Sequence, residues 1–207
     1  GAEVTPADAA LSPERPEGAE AGLEWRLRDG VRLGITFFAN QLDDAIANVT
    51  LSPNLRRRRN VDADDSPENE ADAGLDLGAW SLAAGYSFAD AEIDASGAAL
   101  QLDGLRPAQT PRHSASATLS WQGHGGAYAA LTGRYTSSQY EDDLNIDLLP
   151  DAFTVDAIAV VPLTGAVAIE ARAENLGDER VVAGLSGAGI VERATPRTLW
   201  LGLRWRQ

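Results

Sequence analysis

The chain has 207 residues, 44% of them hydrophobic and 23% charged, with 31 acidic against 17 basic side chains and a formal net charge of −14. It is too apolar for a disordered acidic tail, and too acidic for nucleic acid to be the partner, because phosphate binding needs a net basic footprint. The lack of cysteine excludes a disulfide scaffold, a thiolate metal site and a cysteine nucleophile.

No run reaches the ~18 continuous apolar residues of a membrane helix, and no charged-then-apolar leader opens the chain, so a membrane protein here would have to be built from strands. All the basic residues are arginine and methionine is missing even at position 1, which points to a piece of something longer.

Residues 1–18 carry three prolines among scattered acids and alanines without a sustained period, and read as a loop or linker. From Glu20 the pattern changes. Ala21, Leu23, Trp25 and Leu27 share one parity, and Glu20, Glu24, Arg26 and Arg28 the other, which is a strand with one apolar and one wet face. Asp29-Gly30 is a hairpin signal, and the returning strand places Val31, Leu33, Ile35, Phe37 and Ala39 together.

The unit recurs. Ala71, Leu75 and Leu77 alternate with Glu70, Asp72 and Asp76, and a turn at Gly78-Ala79 leads into Trp80, Leu82, Ala84, Tyr86 and Phe88. Ala115, Ala117, Leu119 and Trp121 turn through Gly123-His124-Gly125 into Ala127, Ala129, Leu131 and Tyr135. Phe153, Val155, Ala157 and Val161 turn through residues 162–165 into Val167, Ile169, Ala171 and Ala173. A last strand carries Leu199, Leu201, Leu203 and Trp205. This predicts about nine strands and no helix.

Connections alternate between tight turns and long loops, the latter near residues 42–70, 92–113, 137–152 and 175–196. That alternation suits an outer-membrane barrel, with short periplasmic turns and long external loops, better than a soluble sandwich. Aromatics form two belts. Trp25, Trp80, Trp121 and Trp205 fall at the turn end, and Phe37, Tyr86, Phe88, Tyr135 and Phe153 fall near the long loops, bracketing a band of Ala, Leu, Val and Ile. The charges keep to the opposite parity, as a lipid-facing wall requires. The expectation is an all-β fold, an antiparallel transmembrane β-barrel, partial, with 19–207 as its strands. Nine antiparallel strands bring their two edges into parallel orientation, and an open edge does not persist in hydrocarbon. Alone, this stretch is not expected to span a membrane stably.

Several segments, in order, resemble the later barrel strands of TonB-dependent outer-membrane receptors. They are Leu11-Ser12-Pro13-Glu14 with residues 18–24, Phe37-Phe38-Ala39-Asn40 with Asp44-Ala45-Ile46, Arg59-Asn60-Val61 with Glu70, Pro111-Arg112-His113, Glu174-Asn175-Leu176-Gly177-Asp178-Glu179 and Pro196-Arg197-Thr198. Pro67 departs from the pattern: it cannot donate a ladder hydrogen bond, which argues against pairing ahead of Glu70.

The resemblance implies a bacterial outer-membrane location and a passive receptor role in uptake of a scarce nutrient, such as a ferric siderophore or other small-molecule metal chelate. Its implied partners are outer-membrane lipid, the remainder of the barrel with its plug, and an inner-membrane energy-coupling protein acting through that plug. Other readings of the same pattern are a soluble β-sheet binding or adhesion module and a small self-contained outer-membrane barrel.

No catalytic chemistry is expected. His113 and His124 lack a third ligand at suitable spacing for zinc, and neighbouring residues such as His113 and Ser114 point to opposite faces of a strand. No cofactor is called for. Arg56 to Arg59 is the densest basic cluster; Arg57 and Arg58 are candidates to clamp a carboxylate or phosphate, or else form a solvated strand end balanced by Asp62, Asp64 and Asp65. Tyr140 and Asp142 are candidate ligand contacts. Their segment lacks the central glycine of a calcium loop and reads as a wet loop. Ligand discrimination is expected in the long loops and in inward residues such as Glu70, Asp72, Glu170 and Arg172.

Overall fold

A computed structural model describes residues 10–52, 55–186 and 189–205. Nine strands make one wall: β1 (Arg15–Arg28), β2 (Val31–Asp43), β3 (Ala63–Leu77), β4 (Trp80–Ala89), β5 (His113–Gln122), β6 (Tyr128–Thr136), β7 (Ala152–Pro162), β8 (Val167–Glu174) and β9 (Thr198–Trp205). Each pairs antiparallel with the next in chain order, and among the described residues β1 and β9 leave their outer edges open.

The register follows the alternation read from the sequence. One row runs Leu82, Leu119, Leu131, Ala157, Ala173 and Leu199, and the next runs Trp80, Trp121, Ala129, Ala159, Ala171 and Leu201. Trp80 and Trp121 lie side by side with ring centroids 6.5 Å apart. This face is bare: Leu131 is 49% exposed, Leu201 80% and Trp205 71%. Among the described residues no second layer covers it, so these side chains do not meet across a sandwich. The two aromatic belts hold their places at either end.

The height of the apolar band is legible on β2, where Val31 to Ala39 face outward over ~26 Å of strand, close to the thickness of a barrel's lipid belt once tilt is allowed for. Beyond it the same face becomes wet, with Gln41 and Asp43 paired to Glu17 and Arg15. Residues 15–18, read from sequence as the end of a linker, are therefore strand. Above the belt both faces meet water, so alternation no longer marks a strand there. Residues 1–9 of that segment, and the terminal Arg206-Gln207, lie outside the described residues.

Pairing also runs through Pro67, contrary to the sequence expectation. Ala39 is its partner on β2, while its other side falls where β3 changes neighbours, from β4 below Glu68 to the short strand Glu92–Asp94 opposite Ala63–Asp65. The Pro67 carbonyl accepts from Asp90 N on that side (3.1 Å). A ring nitrogen on the same side thus faces the gap between two partners, where no ladder donor is needed.

The turns are tight for a physical reason visible at Gly30. Its φ is +78°, and a Cβ there would lie 2.6 Å from the Asp76 carbonyl oxygen, so glycine alone fits. Two short 3-10 turns, Gly97–Leu102 and His124–Gly126, are the helical elements among the described residues.

Single wall residues such as Ala130 and Val160 are buried, but the cluster of buried hydrophobic residues lies above the wall, in the loops. Val49, Val61, Ile93, Ala95, Ala99 and Leu102 pack together, joining a hairpin of the β2–β3 loop (Ile46–Ser52 with Leu55–Asn60) to the β4–β5 loop. The β6–β7 loop adds a buried Leu149 and packs Leu144 against the cluster.

Candidate functional site

The wall's inner face and the loop cap above it together form the candidate site. The inner face is polar because the parity that faces lipid leaves every other residue to water. Its middle carries hydroxyls: Ser81 and Ser120 share a hydrogen bond of 2.6 Å, and Thr118 and Thr132 one of 2.9 Å. Toward the long-loop end a concave groove of about 410 Å³ is lined by Thr36, Glu70, Asp72, Ser87, Ser116 and Arg134. Arg134 is paired with the Asp156 carboxylate.

Glu170 and Arg172 do lie on the inner face, but they are already engaged. Glu170 accepts from Arg172 Nε at 2.6 Å and pairs with Arg204 at 3.3 Å. A ligand reaching this spot would meet one carboxylate bridged by two guanidinium groups, a cluster with a net charge of +1.

Arg57 and Arg58 fall in the external hairpin on opposite faces. Arg57 is paired across the strands with the fully buried Val49 and Arg59 with Ala47, so the odd pair lies against the packed side, while Arg58 is exposed. A clamp by the adjacent pair Arg57–Arg58 is therefore not what this strand presents. The side chains of Arg56, Asp64 and Asp65 lie outside the described residues.

The reading of Tyr140 and Asp142 as part of a wet loop needs correction. Asp142 is 6% exposed. Its Oδ1 accepts from Leu144 N (2.9 Å), and its Oδ2 from Ile146 N (3.0 Å) and Asp147 N (2.7 Å). A carboxylate that accepts several backbone N–H groups is the scaffold of its own turn. Tyr140 is half-buried, and its carbonyl accepts from Gln109 N (2.7 Å). Asn145, with φ +56°, completes the junction: its amide donates to Arg106 O (2.9 Å) and accepts from Arg106 N (3.0 Å). The signal for this was an Asp followed three residues later by Asn, a turn-forming pair.

The six motifs quoted above prove to be joints between loops and wall. Ser12 N donates to Asn60 Oδ1 (2.8 Å), Ile46 N to Glu14 Oε1 (2.8 Å) and Val61 N to Ala45 O (2.7 Å), so three separate segments meet above β1–β3. His113 N donates to Ser137 Oγ (3.0 Å), while its Nδ1 lies 2.8 Å from Tyr86 Oη. Its ring also lies beside Phe88, with centroids 5.2 Å apart. Arg112 Nε donates to Asp90 (2.9 Å).

The Asn175 side chain is 5% exposed as a residue and holds the β8–β9 loop, donating to Glu179 O (2.8 Å) and accepting from Glu179 N (2.9 Å), while its backbone N donates to Asp156 (2.8 Å). Asp178 accepts from Arg197 N (3.1 Å). These polar residues place the external loops. Among the described residues no group of three His, Asp or Glu is arranged to hold a metal ion.

Residues 1–176 match the family model for the TonB dependent receptor-like β-barrel. No curated protein sequence matches the chain. Solved structures share the fold at low identity. The siderophore receptor PiuA from Acinetobacter baumannii superposes with a TM-score of 0.76 at 18% identity, over 92% of this chain and 28% of that one. The ferric yersiniabactin uptake receptor FyuA from Yersinia pestis gives 0.78 at 18%, over 93% and 30%. The copper transporter OprC gives 0.78 at 18%, over 95% and 31%. The chain thus spans less than one third of the length of each. The family is one of outer-membrane proteins of Gram-negative bacteria, which locates this chain there. With a bare apolar belt, tight turns at one end, joined loops at the other and a family model over most of its length, the chain belongs to the TonB-dependent receptors, as part of their β-barrel.

Proposed function

We propose that this chain forms part of a receptor that captures a scarce nutrient complex, such as a ferric siderophore, between its external loops and inner wall. The observation that carries this reading is the loop cap. Three loops share a buried core and are latched to one another, to the segment ahead of β1 and, at Ser137–His113, to the wall by side-chain hydrogen bonds, so they stand as a shaped surface at the groove's end of the wall. Pre-set loops lose less entropy on binding than free ones. The similar structures named above include receptors for siderophores and a transporter for copper.

Inward release would need the rest of the barrel, its plug and an inner-membrane energy-coupling protein, with lipid against the outer belt. The role is binding and gating, without catalysis. The test is growth under iron limitation of a strain lacking the gene that encodes this chain, supplied with a panel of purified ferric siderophores and, in parallel, a copper salt. Loss of growth or of labelled-metal uptake with one supplement, restored by the intact gene, is the expected result. Unchanged uptake of every supplement would overturn the proposal.

A further inference from the structure

The most heavily clamped point of the cap lies between residues 105–110 of the β4–β5 loop and residues 139–147 of the β6–β7 loop. Asn145 takes both the N–H and the C=O of Arg106; Ala108 N donates to Asp143 (3.4 Å), Gln109 N to Tyr140 O (2.7 Å) and Gln109 Nε2 to Glu141 (3.1 Å). The backbone of Arg106 is therefore fixed independently of its side chain.

That side chain is half-buried and has no carboxylate partner among the described residues. Its one hydrogen bond is long, from Nη2 to Thr110 O (3.4 Å), and its Nε is enclosed with nothing to donate to. On the same pair of loops, Gln139 Oε1 is enclosed with no donor. The neighbouring Arg112 differs, because Asp90 neutralises it. Burial pushes the Arg106 guanidinium below its ordinary pKa, Arg112 adds to that, and Asp90 and Tyr140 oppose it. An arginine stays charged regardless.

Asp90, the carboxylate within electrostatic reach of Arg106, is already bound to Arg112, so two guanidinium groups share one countercharge. A fold that pins the Arg106 backbone with a dedicated asparagine yet gives its side chain no carboxylate of its own leaves that place to something else. We propose that Arg106, held by Asn145 at the seam of the two loops, is an oxyanion-binding site that takes a carboxylate or phosphate group of a soluble ligand. Guanidinium matches such groups with paired, charge-assisted hydrogen bonds. This deepens the uptake reading by naming a chemical feature of the captured compound, and it rests on that reading only for the ligand's biological role.

The experiment titrates inorganic phosphate and citrate, by calorimetry, into the purified full receptor polypeptide in detergent, as wild type and as the variants Arg106→Gln, Arg106→Lys and Arg193→Gln. Arg193 is an exposed arginine of the β8–β9 loop, outside the candidate site, and serves as a control. Expected are saturable binding of at least one anion, weakened about tenfold or more in R106Q as one charge-assisted bond is lost, partly kept in R106K, and unchanged in R193Q. Retention of wild-type heat-modifiable gel mobility by R106Q shows that the loss is not unfolding. Binding of neither anion, or equal binding by R106Q, overturns the site. So does Arg106-dependent binding of phosphatidylglycerol vesicles without any soluble anion, which would assign the charge to a lipid headgroup. Anion binding that persists in a receptor without uptake activity would leave this site standing and remove the transport reading.

Discussion

The wall and the cap of this chain solve opposite solvent problems. On the wall, Leu23, Leu131, Leu201 and Leu203 are largely exposed, and the strands are joined by backbone ladders with polar side-chain pairs on the inner face only, such as Ser81–Ser120 and Arg134–Asp156. In the cap, Val49 and Leu102 are fully buried and Asp142 spends its carboxylate on three backbone N–H groups. The wall relies on hydrocarbon as the other half of its core, whereas the cap supplies its own core as a water-soluble domain would. The same residue type therefore carries different costs in the two regions, and substitutions separate them.

The largest effect is expected from a charge on the belt. Leu131→Arg, in mid-wall, should cost ~2–4 kcal/mol of stability in a bilayer, read as a lower urea midpoint for the receptor refolded in lipid vesicles. Thr132→Arg, one residue on and facing inward, should cost much less; equal costs would break the distinction between faces.

Next comes the cap. Asp142→Ala leaves three donors short of their acceptor and should cost about 1–3 kcal/mol, confined to the loop. Hydrogen exchange at Leu144, Ile146 and Asp147 should accelerate while the amides of β5 and β6 keep wild-type protection. Uniform acceleration would mean that wall and cap unfold as one unit.

The smallest effect is expected where the regions meet. Tyr86→Phe removes the hydroxyl beside His113 Nδ1 (2.8 Å) in the upper aromatic belt and should cost about 0.5–1.5 kcal/mol, with a changed His113 ring resonance by NMR. An unaltered ring resonance would show that this hydrogen bond is not formed.

The contrast also explains what the sequence disclosed. The wall was legible because one face meets lipid along the belt portion of each strand, so a period of two persists from Ala21 to Leu27 and from Leu199 to Trp205, and the register follows from it. The cap was not. Val49, Val61, Ile93 and Leu102 come from two loops and share no period, so their meeting is a property of the folded chain. Asp142 misled for a related reason: an acidic run looks the same whether its oxygens face water or cap a turn. Arg57 and Arg58 were adjacent in sequence, but the strand sends them to opposite sides. Arg106 went unnoticed because neither of its neighbours in sequence, Leu105 and Pro107, marks it; the mark is Asn145, thirty-nine residues away.

That β1 and β9 leave their outer edges unpaired among the described residues has an arithmetic consequence. With nine strands alternating in direction, both edges run the same way, and a ring whose neighbours all run oppositely closes only on an even total. Whatever completes the circumference must therefore contribute an odd number of strands, with its first and last members both pointing against Arg15–Arg28 and Thr198–Trp205.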